Sequence, residues 1–311
     1  MLCLAVCVLG LSPSASALEP RVITFDAPGA GTLSGQGTSA YAVNPAGEIT
    51  GQIIDGNGAI HGFLRAPNGK ITTFDAPGAG TLSGQGTSAY AINSAGEIAG
   101  QYVDGNSVIH GFLRAPDGKI TTFDVPGAGT EAEQGTFGYT INAGGSITGF
   151  ELDSNNVFHG FLRAPDGKIT RFDVPGAGTD TYQGTSPADI NLAAAITGFY
   201  ADASGVWYGF LRNPDGEFVS FSVPDAGTEP GEGTFGYAMN PAREISGEYL
   251  DSNNVYHAFL RTLDGQITTF DAPGAGTGYN QGTQPQDINF GGVITGYFLD
   301  GNGASHAFVR P

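Results

Sequence analysis

Five histidines, His61, His110, His159, His257 and His306, recur at one phase of a 49-residue period. Asp75, Asp124, Asp173 and Asp271 follow the first four at fourteen residues, and Asp55, Asp104, Asp153, Asp251 and Asp300 precede all five at six residues. An imidazole between two carboxylates is a cation site of the Asp55, His61, Asp75 kind, with calcium the one cofactor it leaves open. The same residues also serve a purely structural purpose. An Asp caps its own turn, and a His–Asp pair pins the neighbouring strand. One His with two Asp is a thin donor set for a transition metal, so the structural assignment ranks first. The fourth unit supports a direct contact, because it has lost both partners together: Tyr208 stands for the His and Ser222 for the Asp.

A second group of polar residues lies where the units differ. After each Pro-Gly-Ala-Gly-Thr-like stretch the segments diverge and carry Glu131, Glu133, Asp180, Tyr182, Glu229, Glu232, Tyr279 and Asn280. Acidic groups beside tyrosines can hold a sugar by stacking and hydrogen bonds, or a cation. Glu229 and Glu232 with Tyr182 or Tyr279 would also suit a glycan hydrolase or lyase that works through paired carboxylates. No Gly-x-Ser-x-Gly, His-Glu-x-x-His or Gly-Lys-Ser/Thr motif accompanies them, so binding without catalysis is the first expectation. Arg65, Arg114, Arg163, Arg212, Arg261 and Arg310 recur in every unit, and such invariance assigns them to packing or an ion pair.

The elements that must position these groups are short strands. In the second unit Thr87 to Asn93, Ile98 to Asp104, Val108 to Arg114 and Lys119 to Asp124 are rich in β-branched and aromatic residues and are separated by turn residues. Ala115-Pro116-Asp117-Gly118 has the chemistry of a type I turn closed by a left-handed glycine, the three-residue hairpin with a bulge. In the first unit that hairpin pairs Ala66 with Lys70 and sets His61 opposite Asp75. Four strands and one longer crossover, six times over, predict an all-β fold: a six-bladed β-propeller of four-stranded blades. Its ring is expected to be closed by the N-terminal strand, Arg21 to Asp26, pairing with the strand that ends at Arg310. That closure would set Asp26 against His306.

Asn93 to Gly100, an Asn-x-x-Gly followed by Ile-x-Gly, and His257-Ala258-Phe259 with His306-Ala307-Phe308 resemble the extracellular HAF-repeat proteins of bacteria. His-Gly-Phe replaces the triplet at His61, His110 and His159. The resemblance covers residues 18–311 and implies a secreted repeat protein whose biochemical role is not established.

Composition narrows the partners. A net charge of −18 and a pI near 4.3 exclude nucleic acid and anionic membrane as partners. With 51 Gly and 18 Pro but 40% hydrophobic residues, the chain reads as turn-rich packed β structure. Residues 1–17, apolar and ending Ala15-Ser16-Ala17, read as a signal peptide too short to span a membrane. Cys3 and Cys7 both lie within it, which leaves residues 18–311, a single domain, without thiol chemistry. The expectation is a secreted, monomeric binding module for a glycan or cell-surface partner, with the hydrolase or lyase and a structural envelope or matrix protein as alternatives. Paired as the hairpin predicts, His110 and Asp124 are coupled: His110→Ala, Asp124→Ala and the double variant, compared by denaturant unfolding, should be non-additive by about 0.5 kcal/mol or more.

Overall fold

The computed structural model describes residues 23–311. The expected signal segment, and Arg21 and Val22 of the expected closing strand, lie outside them. The described residues form 23 strands and no helix. The first unit comprises β1 (Gly37–Val43), β2 (Ile49–Ile54), β3 (Ile60–Arg65) and β4 (Ile71–Phe74) in an antiparallel meander. Strands β5 to β20 repeat it between Gly86 and Phe270, and the sixth unit has three strands, β21 (Gly282–Ile288), β22 (Ile294–Leu299) and β23 (Ser305–Arg310). The predicted hairpin is present: Ala66 N–H donates to Lys70 at 2.8 Å, Gly69 N–H donates to Ala66 at 2.9 Å, and Gly69 has φ 88°.

Units are joined by one repeated contact. The third strand of one unit meets the first strand of the next at a single parallel bridge, as Ile60 meets Gly86. Gly86 has φ 122°, and a Cβ there would lie 1.9 Å from the Ile60 carbonyl oxygen. Only glycine therefore permits the approach, which explains Gly86, Gly135, Gly184, Gly233 and Gly282 at one phase of the repeat, while Gly37, which meets no preceding strand among the described residues, shares only their positive φ, at 124°. Aromatic packing completes the joint. The outer-strand Phe74 sets its ring edge-on against Phe112 of the next unit at 6.1 Å, and the Arg114 guanidinium lies over Phe74 at 4.9 Å. The same arginine stack recurs at 4.8 to 5.1 Å from Arg65 over Phe25 to Arg310 over Phe270. The invariant arginines are thus inter-unit packing residues.

Asparagines add a polar rung at the same joints. Asn93 Oδ1 accepts from the Ala95 and Glu97 N–H groups, closing its own turn, and Nδ2 donates to the Asn142 carbonyl one unit ahead at 3.2 Å. Asn44 and Asn142 make the equivalent bond to Asn93 and Asn191. First strands of neighbouring units pack against one another, so the meanders radiate from an axis lined by first strands, as in a β-propeller.

The expected ring closure is not formed among the described residues. Ile23 to Asp26 carry no strand, β23 pairs with β22 alone, and no hydrogen bond joins His306 to Asp26. Phe25 does take the place of an outer-strand phenylalanine before unit one, 6.0 Å from Phe63. Yet β1 packs on β5 and β21 on β17, with no packing of comparable extent between β1 and β21. The burial pattern agrees: the second strand of unit five is buried throughout, whereas β22, its equivalent in unit six, is largely half-buried and β23 mostly exposed. Each joint is local, so nothing in it requires the last unit to return to the first. Phe161 is fully buried and Phe308 only half-buried. Phe161→Ala should therefore cost about 3–5 kcal/mol in urea unfolding and Phe308→Ala distinctly less, whereas equal losses would indicate a closed ring.

Candidate functional site

The innermost strands carry a built-in irregularity. The register of β1 against β2 shifts between Ala40 and Ala42, and the same shift recurs in all six units. Six residues are left without a ladder partner by this bulge: Tyr41, Tyr90, Tyr139, Ala188, Tyr237 and Gln286. A bulge re-aims its unpaired side chain. Tyr41, Tyr90 and Tyr139 run as a stack from unit to unit, with ring centroids 5.5 and 5.7 Å apart.

Beyond Tyr139 the bulge residues border a cavity of about 620 Å³. Its wall combines them with second-strand residues Phe150, Phe199, Glu248 and Tyr297 and with third-strand Phe158. The aromatic groups hold one another: Phe150 stacks on Phe137 at 4.5 Å, and Phe199 meets Trp207 at 5.4 Å and Tyr237 at 5.7 Å. Ser186, Gln284 and Gln286 supply neutral polar groups. No Lys, Arg or His lines the cavity. In units one and two the positions of Phe150 and Phe158 are Gln52 and Ile60, then Gln101 and Ile109, so the aromatic wall belongs to the later units.

Glu248 is the one carboxylic acid in the wall. It is buried, with Oε1 accepting from the Tyr237 hydroxyl at 3.1 Å and Oε2 without a partner. Burial pushes its pKa up to about 7 against the lowering effect of the Tyr237 bond, and burial beside Glu248 raises that of Tyr237. A second acid, Glu151, is fully buried in unit three, where Arg171 Nε approaches Oε1 at 3.0 Å. Desolvation raises Glu151 to about 7, with Arg171 opposing. Asp189 is raised to about 6 by enclosure of its carboxylate, although Oδ2 accepts from Met239 N–H at 2.9 Å.

The histidine sites form as their spacing predicts in four units. His61 Nδ1 lies 2.9 Å from Asp75 Oδ1 while Nε2 faces Asp55 at 3.8 Å. His110 with Asp124, His159 with Asp173 and His257 with Asp271 repeat the pair. The two ring nitrogens face different carboxylates, and Asp55 Oδ1 already caps its turn through the Asn57 and Ala59 N–H groups. Among the described residues no group of three His, Cys, Asp or Glu side chains is arranged to hold a metal ion.

The crossover candidates are spread around the molecule. Glu131, Glu133, Asp180, Tyr182, Glu229, Tyr279 and Asn280 are exposed, and none of the eight lines the cavity. Tyr182 approaches it, with its ring 6.3 Å from Phe158. Glu133, Tyr182 and Asn280 have φ of 67°, 61° and 57° at a phase where other units have glycine, and their N–H groups tie the crossover to the preceding unit. Glu232 is buried at the phase of Gln85 and Gln134 and, like them, accepts from the backbone three residues earlier, Glu229 N–H at 3.0 Å. Its carboxylate is a loop tether, which removes one half of the expected acidic pair. The units diverge at the second-strand positions that wall the cavity as well as in the crossovers. Gln52, Gln101, Phe150, Phe199, Glu248 and Tyr297 occupy one phase of the repeat, and their variation is the sequence signal of the cavity.

No protein-family model matches the sequence, and no curated protein matches it. Among solved structures the chain is similar to a puromycin hydrolase at 13% identity and a TM-score of 0.52, covering 89% of this chain and 45% of that one. It is also similar to AofleA from Arthrobotrys oligospora, at 12% identity, a TM-score of 0.50, and coverage of 88% and 82%. A lectin from the fungus Aleuria aurantia, a six-bladed β-propeller with a novel fucose recognition mode, superposes at 11% identity and a TM-score of 0.44, covering 87% and 89%, which is too loose to argue from. These likenesses concern the fold alone, and this chain spans under half of the hydrolase's length.

Glu151 and Glu248 keep their protons to about pH 7 when folded, against 4.5 for the ordinary side chain, so the stability that they contribute falls as pH rises through that window. Asp55 and Asp300, lowered by backbone N–H bonds, act in the opposite sense below 3.8. The melting midpoint should peak near about pH 4.5 and decline toward about pH 8, and a midpoint that rises over this range would contradict the burial of the two glutamates.

Proposed function

We propose that this protein is a secreted, non-catalytic, six-bladed propeller, with four-stranded blades in its first five units, that binds a saccharide in the aromatic-walled cavity at its axis. The supporting observation is the wall itself, where bulge and second-strand aromatic groups that differ between units border about 620 Å³ together with neutral hydrogen-bonding side chains. Aromatic faces pack against the C–H faces of sugar rings, while Ser186, Gln284 and Gln286 suit hydroxyl groups. This reading keeps the glycan partner expected from sequence and moves its site inward from the crossovers. It yields one asymmetric site rather than six equivalent ones. Secretion, a monomeric state and membership of the HAF-repeat group belong to the same proposal and rest on the sequence.

Calorimetric titration of a panel of neutral oligosaccharides tests it. Tyr139 is partly exposed in the wall, so Tyr139→Ala should fold normally and weaken binding by about tenfold. Tyr279→Ala, on a crossover, should leave affinity unchanged. The reverse pattern would return the site to the crossovers.

A further inference from the structure

We infer that the saccharide taken by this cavity is an amino sugar, whose protonated amine pairs with Glu248 under the aromatic rings. The inference rests on the saccharide reading above and adds the ligand's charge. Three observations carry it. First, Glu248 is the only carboxylic acid in the wall, and no basic side chain lines the cavity to oppose a cation or attract an anion. Secondly, Glu248 is buried with Oε1 engaged by Tyr237 and Oε2 unpartnered, although buried polar atoms are ordinarily paired. An ammonium group has three donors and no acceptor, which matches the ionised form of Glu248, whose Oε2 then lacks a donor. Thirdly, Phe199, Tyr237 and Tyr297 border the same space, and the negative faces of aromatic rings attract cations most strongly where water is excluded.

The groups around Glu248 are consistent with this pairing. Tyr237, Tyr256 and Tyr297 are the titratable neighbours, and burial raises the pKa of each, so all three stay neutral. The empty acid retains its proton to about pH 7. An amine that binds as the cation displaces that proton and leaves a neutral pair. The repeat also shows that the charge is dispensable for folding, because Gln52 and Gln101 occupy the Glu248 phase in units one and two.

The experiment compares three linear oligosaccharides of equal length and linkage, built from glucosamine, N-acetylglucosamine and glucose, near neutral pH against the full chain and against Glu248→Gln. The glucosamine oligomer should bind about tenfold more tightly than the other two, and Glu248→Gln should abolish that preference. Equal binding of all three overturns the amino-sugar inference and leaves the saccharide reading standing. A preference that survives in Glu248→Gln overturns it as well, since the amine would then be recognised elsewhere. Binding of none overturns both readings.

Discussion

The joint between consecutive units governs the rest of this molecule. A meander of four short strands cannot bury both of its faces, and here each unit covers the next through one set of contacts used five times. A left-handed glycine lets two backbones touch, a phenylalanine pair fills the interface, and an arginine stacks over the ring contributed by the preceding unit. Burying the aliphatic stem of arginine while its planar head lies on an aromatic face costs less desolvation than burying a lysine, which accounts for arginine in all six units. The buried core is a chain of similar clusters, one per joint, rather than a single central mass.

Because the joints are equivalent, differences between units are free to accumulate where the joints make no demand. The bulge in each first strand is such a place. It takes one residue out of the ladder, so side chains as unlike as Tyr139, Ala188 and Gln286 are all accommodated. The neighbouring second-strand position behaves likewise, holding glutamine in two units, phenylalanine in two, and Glu248 and Tyr297 in the others. Function in a repeat protein is thus most visible where the repeat is broken, and here the breaks converge on one cavity. The His–Asp pairs, formed in four of the six units, show the opposite case: each fastens the end of an outer strand to its neighbour.

Position along the array also matters. Among the described residues, interior units have a neighbouring unit on each side, whereas the first and last have one each. Tyr41 in β1 is nearly half exposed while its equivalent Tyr90 is shielded between two units. The same residue type at the same phase therefore experiences different solvation, and its contribution to stability differs accordingly.

The sequence by itself determined the period, the strands from β1 to β23, the hairpin turns and four of the five expected His–Asp pairs. All of these depend on residues close along the chain, where turn chemistry and the two-residue alternation of a strand set the register. Gly69 after Pro67-Asn68 dictates a hairpin, and the hairpin dictates that His61 meets Asp75. The partner of the arginines, the burial of Glu232 and Glu248, the cavity and the open ends were decided only by tertiary structure. Arg114 reaches Phe74 across a unit boundary, and Tyr139, Phe199 and Gln286 meet through units that curve about an axis. Distances of that kind depend on the angle at each joint, a property of side-chain packing that has no counterpart in residue spacing.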